Sequence, residues 1–482
     1  MMLFAARALP QSQELIEQSQ RGKELMAAQK FDEAAAVYRQ LVKAVPDNPG
    51  LLLNLGMALH LAGHSHEAIA PLAQATRLDA DVLPAWLFLG ASYLAVGEPA
   101  RALAPLQKYV HQQPQDPGGH QTLADALFAL DRFADAANQY KRLGDLESAN
   151  PHAYYGLNRS YSALSQAAFQ KVEESAPQSA WWFALVADER VRRLQFHSAF
   201  FFYKKAEELM PHLSDLHLSI AKVYVQTGHQ DWAATERKKE TAPDCKTMPQ
   251  ACDFAAGRYG EIIRAAGDSV PARYWQSRAF ALLAEDAFDQ LARLPKGPEI
   301  HELRAQQFSD RRQTRESVAE WREALQYAPN DEHLREELLS ALYRAKENSE
   351  ALKLADELLR QNPSSPGLNF TKGDILLSSQ RPEQAIPFLE KALRLNPNLI
   401  PAQHALGRAY MQVDRQSAAI PHLEKALPID TDGSLHYQLS RAYQATGKPE
   451  LAAKMLAQSR ERQKSDQEAK TKLESEMQIT PP

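Results

Sequence analysis

Between residues 298 and 433 the apolar residues fall in short runs at helical spacing. In PAQHALGRAYMQVDRQSAAIPHLEKAL two such runs stand out, around Leu406–Met411 and Ala418–Leu427. The polar triplet Asp414-Arg415-Gln416 separates them. Apolar recurrence at three- and four-residue steps predicts amphipathic helices, so the unit is a helix, a tight turn and a second helix. The units repeat on one beat. Pro329, Pro363 and Pro397 stand 34 residues apart, and Ala351, Ala385 and Ala419 keep the same interval, as do Gly373 and Gly407. A fixed period of this size signals stacked copies of one supersecondary unit, none of which buries its apolar faces alone.

The residue types have packing reasons. A glycine or alanine early in the unit and an alanine after the turn let the two helices cross closely. The late proline lacks an amide hydrogen and ends the second helix. Leu406, Gly407, Tyr410, Ala419, Leu423 and Ala426, with the late proline, resemble the tetratricopeptide repeat. The resemblance implies an all-α, right-handed α-solenoid of about twelve helix-turn-helix copies, some degenerate. It also implies a concave groove lined by the first helix of each copy.

The same frame extends through the chain. Residues 1–14 form an N-terminal segment, and 15–243 read as a first solenoid stretch, best matched by Trp86, Leu89, Gly90, Tyr93, Ala102 and Leu106. Around 151–179 the second helix of a copy is trimmed. Residues 244–297 form an irregular junction with a degenerate repeat around Tyr274 and Trp275. Residues 298–460 are the second solenoid stretch. Residues 461–482 are mostly polar and read as a capping helix that frays into a disordered tail.

Composition narrows the function. A formal net charge of −5 argues against a general nucleic-acid binder. The uncharged apolar stretch 82–97 is too short for a transmembrane segment. The ending Ala6-Arg7-Ala8 of the first apolar run looks like the tail of an export signal, which would place the chain outside the cytoplasm; an ordinary N-terminus leaves it cytoplasmic. Cys245 and Cys252, seven apart, fit either a short bridged loop or two free thiols. Trp181-Trp182 reads as packing at an irregular repeat junction.

No catalytic or cofactor motif survives inspection. There is no glycine-rich phosphate loop, zinc-protease motif or nucleophile elbow, and neither cysteine has a neighbouring histidine. His60, His64 and His66 cluster, but Gly63 breaks the helix between them and no metal site is read there. Repeats fill nearly the whole chain, so activity is expected from a surface rather than a reaction, with no enzyme chemistry and no cofactor.

The resemblance implies a protein or extended-peptide partner. Carrying over the groove-facing positions of the family's first helix gives an apolar N-terminal lining: Leu53, Met57, Leu61, Leu87, Leu94 and Phe128. The C-terminal lining differs. Phe370, Asp374, His404, Arg408, Tyr437 and Arg441 occupy it, with His404/Arg408 and Tyr437/Arg441 each one turn apart. Two arginines beside aromatic and imidazole rings suit an acidic or C-terminal group. The carboxylate clamp of some family members is not matched, because Asn54 lacks the flanking cations. The leading expectation is a non-enzymatic scaffold. The alternatives are a structural component of a bacterial envelope machine, in polysaccharide export or secretion, and a regulatory arm of a separately encoded enzyme.

Overall fold

The computed structural model describes residues 8–265 and 267–482, with side chains omitted at 8–12 and 472–475. The Ala6-Arg7-Ala8 reading falls largely outside the described residues. Among these residues there are twenty-six α-helices, one 3-10 turn and no strand.

The helix starts are set by caps and prolines. Asn48, Asp116, Asp331 and Ser365 each precede a first helix, and their side chains accept the amide of the residue three further on, at 3.0, 2.9, 3.1 and 3.2 Å. Pro49, Pro117 and Pro366 fill the first turn, where a missing amide hydrogen costs nothing. Second helices end at Tyr327, Gln361 and Leu395, two residues before Pro329, Pro363 and Pro397, because the residue before proline is driven out of helical geometry.

The turn inside each copy is equally regular. One residue there is left-handed: Gly63, Gly97, Gly228 and Gly447, but also Asp131, Leu194, Arg312, Lys346, Gln380 and Asp414. The next amide then closes on a carbonyl five residues back, as Arg381 does on Leu376 at 3.0 Å and Arg415 on Tyr410 at 2.9 Å. That bond satisfies a helix-end carbonyl and fixes the angle between the two helices.

The early glycine makes room for the bulky side chain of the second helix. A Cβ at Gly56, Gly90, Gly373 or Gly407 would lie 2.3, 2.4, 2.7 or 2.7 Å from Leu72, Leu106, Leu389 or Leu423. These leucines are fully buried, so they cannot swing aside without leaving a void.

Two compact units result. One takes the residues through Glu174 together with Ala256–Pro295; the other takes Ser175–Ala255 with Lys296–Pro482. In the first, helix Pro151–Ser175 runs 25 residues without a second helix of its own copy. Its partner is Val270–Arg293, brought from far downstream. The Ser165 hydroxyl donates to the Ser277 carbonyl at 2.8 Å and the Ser277 hydroxyl donates to the Ser165 carbonyl at 3.0 Å. The Asn158 amide donates to the Ala284 carbonyl at 2.8 Å, and the Tyr161 and Phe280 rings stack. The copy that reads as trimmed is thus completed by distant sequence. In the second unit Arg311 reaches the Arg192 carbonyl at 3.4 Å. Residues 461–476 continue helix Pro449–Glu476 without a separate cap. Beyond them, the Tyr224 hydroxyl donates to the Thr480 carbonyl at 2.7 Å.

Candidate functional site

The C-terminal first helices Pro366–Ser378, Ile400–Gln412 and Ser434–Ala445 carry the polar groove positions. Arg408 is half-buried, while Tyr437 and Arg441 are exposed. Among the described residues neither guanidinium has an ion pair or a hydrogen bond. Asp374 is different: it accepts the Tyr343 hydroxyl, so it is engaged within the array. Burial, then that bond, push the Tyr343 phenol up, and Arg408 acts against the shift. His404 is half-buried and its Nε2 is enclosed with no hydrogen-bond partner. Burial, then the Arg408 charge, hold its imidazole below the ordinary histidine range. Phe370 is half-buried against the local core. The site therefore offers two unpaired cations, a neutral imidazole and aromatic surface.

The apolar N-terminal positions are less open. Leu53, Leu87, Leu94 and Phe128 are half-buried and packed on their own core, and Met57 is half-buried as well. The Arg159 guanidinium lies 4.4 Å from the centre of the Phe128 ring and donates to the Tyr155 hydroxyl at 3.2 Å. Phe128 also meets Phe133 edge-on at 5.2 Å. Arg159 lies in the long helix Pro151–Ser175, eight residues after Pro151 as Asp374 is after Pro366; the sequence reading passed over it because this copy reads as trimmed.

Two histidines of the sequence cluster, His60 and His64, have structural partners. His60 Nδ1 lies 3.3 Å from the Ser65 hydroxyl and 3.1 Å from that of Ser92, whereas His64 pairs with Asp32 at 2.8 Å. His66 is exposed. Trp182 packs edge-on against Phe183 and Phe202. Cys245 and Cys252 are joined, with their Cα atoms 5.6 Å apart.

A group absent from the sequence reading is a buried polar residue at the fourth position of several first helices. His120, His217, Asn369 and Gln403 reach the carbonyls of Pro114, Pro211, Pro363 and Pro397, at 3.1, 3.1, 3.1 and 3.0 Å. His120, His217 and His301 also bond Gln139, Glu236 and Glu320 of their own second helices, each at 2.7 Å, and His422 bonds Gln403 at 2.6 Å. Glu207, His217 and Glu236 gather ligand-type atoms within 4.8 Å. However, both His217 nitrogens already face oxygen acceptors, and Lys239 lies 3.1 Å from Glu236. The recurrence of the same bonds elsewhere marks this cluster as repeat architecture.

Two tetratricopeptide-repeat profiles match this chain. One covers residues 19–82, 62–117, 302–366 and 340–400, and the other covers 376–436. No curated protein matches. Among solved structures, MamA from Desulfovibrio magneticus RS-1 is 21% identical over 35% of this chain and 96% of its own, with a TM-score of 0.32. A tetratricopeptide repeat protein from Parabacteroides merdae is 12% identical over 68% and 99%, with a TM-score of 0.34. The Cut9–Hcn1 hetero-tetramer of APC/C is 14% identical over 95% of each chain, also at 0.34. With its helix-turn-helix copies, close glycine crossings and matching profiles, the chain is a tetratricopeptide-repeat protein.

Proposed function

We propose that this chain is a non-enzymatic scaffold whose C-terminal array binds a protein partner through an acidic segment or a C-terminal carboxylate. The family mediates protein–protein interaction in general. The observation that carries the finer reading is the pair Arg408 and Arg441, which lack internal partners beside His404, Phe370 and Tyr437. Guanidinium groups recognise carboxylates in bidentate fashion, and aromatic neighbours lower the local exposure to water. Asp374 is engaged by the Tyr343 hydroxyl within the array. Native capture followed by partner identification, repeated with Arg408→Ala/Arg441→Ala, tests this. Lost capture with an unchanged melting point supports the patch; undiminished capture moves binding to the face around Met57, Leu87 and Phe128.

A second reading concerns the setting. A disulfide persists in oxidising compartments, so the Cys245–Cys252 bridge favours an exported scaffold, as in an envelope assembly. Thiol labelling of unreduced protein from native cells decides it, because two reactive thiols there would remove the support.

A further inference from the structure

In two C-terminal copies the tyrosine at the eleventh position finds an acceptor on the copy before it. The Tyr410 hydroxyl donates to Glu390 at 2.6 Å, and that of Tyr443 donates to Glu424. Tyr224 is their equivalent in helix Leu216–Gln226. The residue that stands where Glu390 and Glu424 stand is Lys204, an ammonium with no lone pair, and it is engaged by Glu207. Tyr224 is nevertheless completely buried, held against Phe200 and Trp232. A buried hydroxyl without a partner is costly. Its acceptor comes from 256 residues away, as the Thr480 carbonyl.

The segment that supplies it is suited to the task. Met477-Gln478-Ile479-Thr480-Pro481-Pro482 carries no charged side chain. Met477 and Ile479 are half-buried while Gln478 and Thr480 are exposed, the alternation of an extended peptide. The two prolines block helix and favour an extended backbone, which lowers the entropy lost on docking.

We propose that residues 477–482 are a built-in peptide ligand, seated in cis on the repeat that carries Tyr224, and that this repeat is a second docking site for uncharged, proline-containing extended peptides. The site is separate from the arginine patch. Its occupant is the chain's own tail, and a partner reaches it by displacing that tail. A tether holds its ligand at millimolar effective concentration, so the resting chain resists weak competitors.

The test uses the full-length chain and a fluorescent synthetic MQITPP peptide, followed by anisotropy. Met477→Asp/Ile479→Asp places charges at the half-buried positions and releases the tail. The released chain should bind the peptide at least about tenfold more tightly than the native chain. Adding Tyr224→Phe, which keeps the ring and removes the donor, should weaken that binding by about two- to tenfold. Arg408→Ala/Arg441→Ala should leave it unchanged, which separates this site from the proposed patch. No binding by the released chain, or equal binding by native and released chains, overturns the proposal. A native dimer that the double aspartate variant converts to monomer also overturns it, since the tail would then sit on a second copy. Circular dichroism melts of every variant exclude unfolding as the cause.

Discussion

The run from residue 298 to the last repeat and the pair Pro151–Ser175 with Val270–Arg293 solve one packing problem in two ways. In the run each first helix meets its second helix across a left-handed turn, and in the copies of Gly373 and Gly407 a glycine faces a buried leucine. In the pair no turn joins the helices, and the close approach is made by reciprocal hydrogen bonds between Ser165 and Ser277. Small side chains are the shared requirement. Connectivity is not, because close packing depends on what faces a surface rather than on the order in which the chain arrives.

The comparison can be pressed hardest at Trp275, which is 2% exposed in the downstream helix. Trp275→Ala should cost about 3–5 kcal/mol, measured by chemical denaturation, and should melt the first unit before the second. Coincident melting would mean that the two units are one cooperative block. Next comes the glycine crossing. Gly407→Leu should cost about 1–3 kcal/mol, whereas Ser277→Ala should cost about 1 kcal/mol through one lost hydrogen bond. If the serine exchange costs more than the glycine exchange, the distant pair is the tighter of the two contacts.

A third test separates connection from packing. The exposed loop around Lys246 is the expected first internal site of limited proteolysis. After cleavage and reduction the two fragments should still co-purify, because Val270–Arg293 remains packed on Pro151–Ser175. Separation on gel filtration would show that the pair needs its covalent link.

The smallest effect is on pH. Burial holds His60, His404 and His422 below the ordinary histidine value of 6.5, so the folded chain resists charging them. Their contribution is therefore fully present above pH 6.5 and is lost as pH falls below that value. The melting point should decline from pH 7 to 5, and His404→Gln should blunt the decline in the second unit only. A decline of equal slope in that variant would assign the effect to carboxylates.

The sequence exposed the regular run because its signals are local and periodic: Pro363, Ala385 and Gly407 all report on contacts made within one copy or to the next. It exposed the turn only where glycine occupies it, as at Gly63; at Leu194 the same left-handed backbone carries a side chain with no such preference. The pairing of Ser165 with Ser277 left no trace, since the two lie 112 positions apart. Arg408 and Arg441 could be placed on a face by carrying over the family's first-helix positions, but the engagement of Asp374 by Tyr343 could not, because it joins two different copies.

The buried polar residue at the fourth position has a consequence for how such a chain can grow. Its outward partner is the carbonyl of a preceding proline, a backbone group that any proline-ended copy supplies. Its other partner, such as Gln139 for His120 or Glu320 for His301, belongs to its own copy. The arrangement therefore needs only one repeat and a proline at the end of the copy before it. Copies can be duplicated or deleted most easily where the copy before ends in such a proline, as ahead of His120, His217, Asn369 and Gln403; ahead of His301 the buried Nε2 has no partner, so that junction depends on its own surroundings.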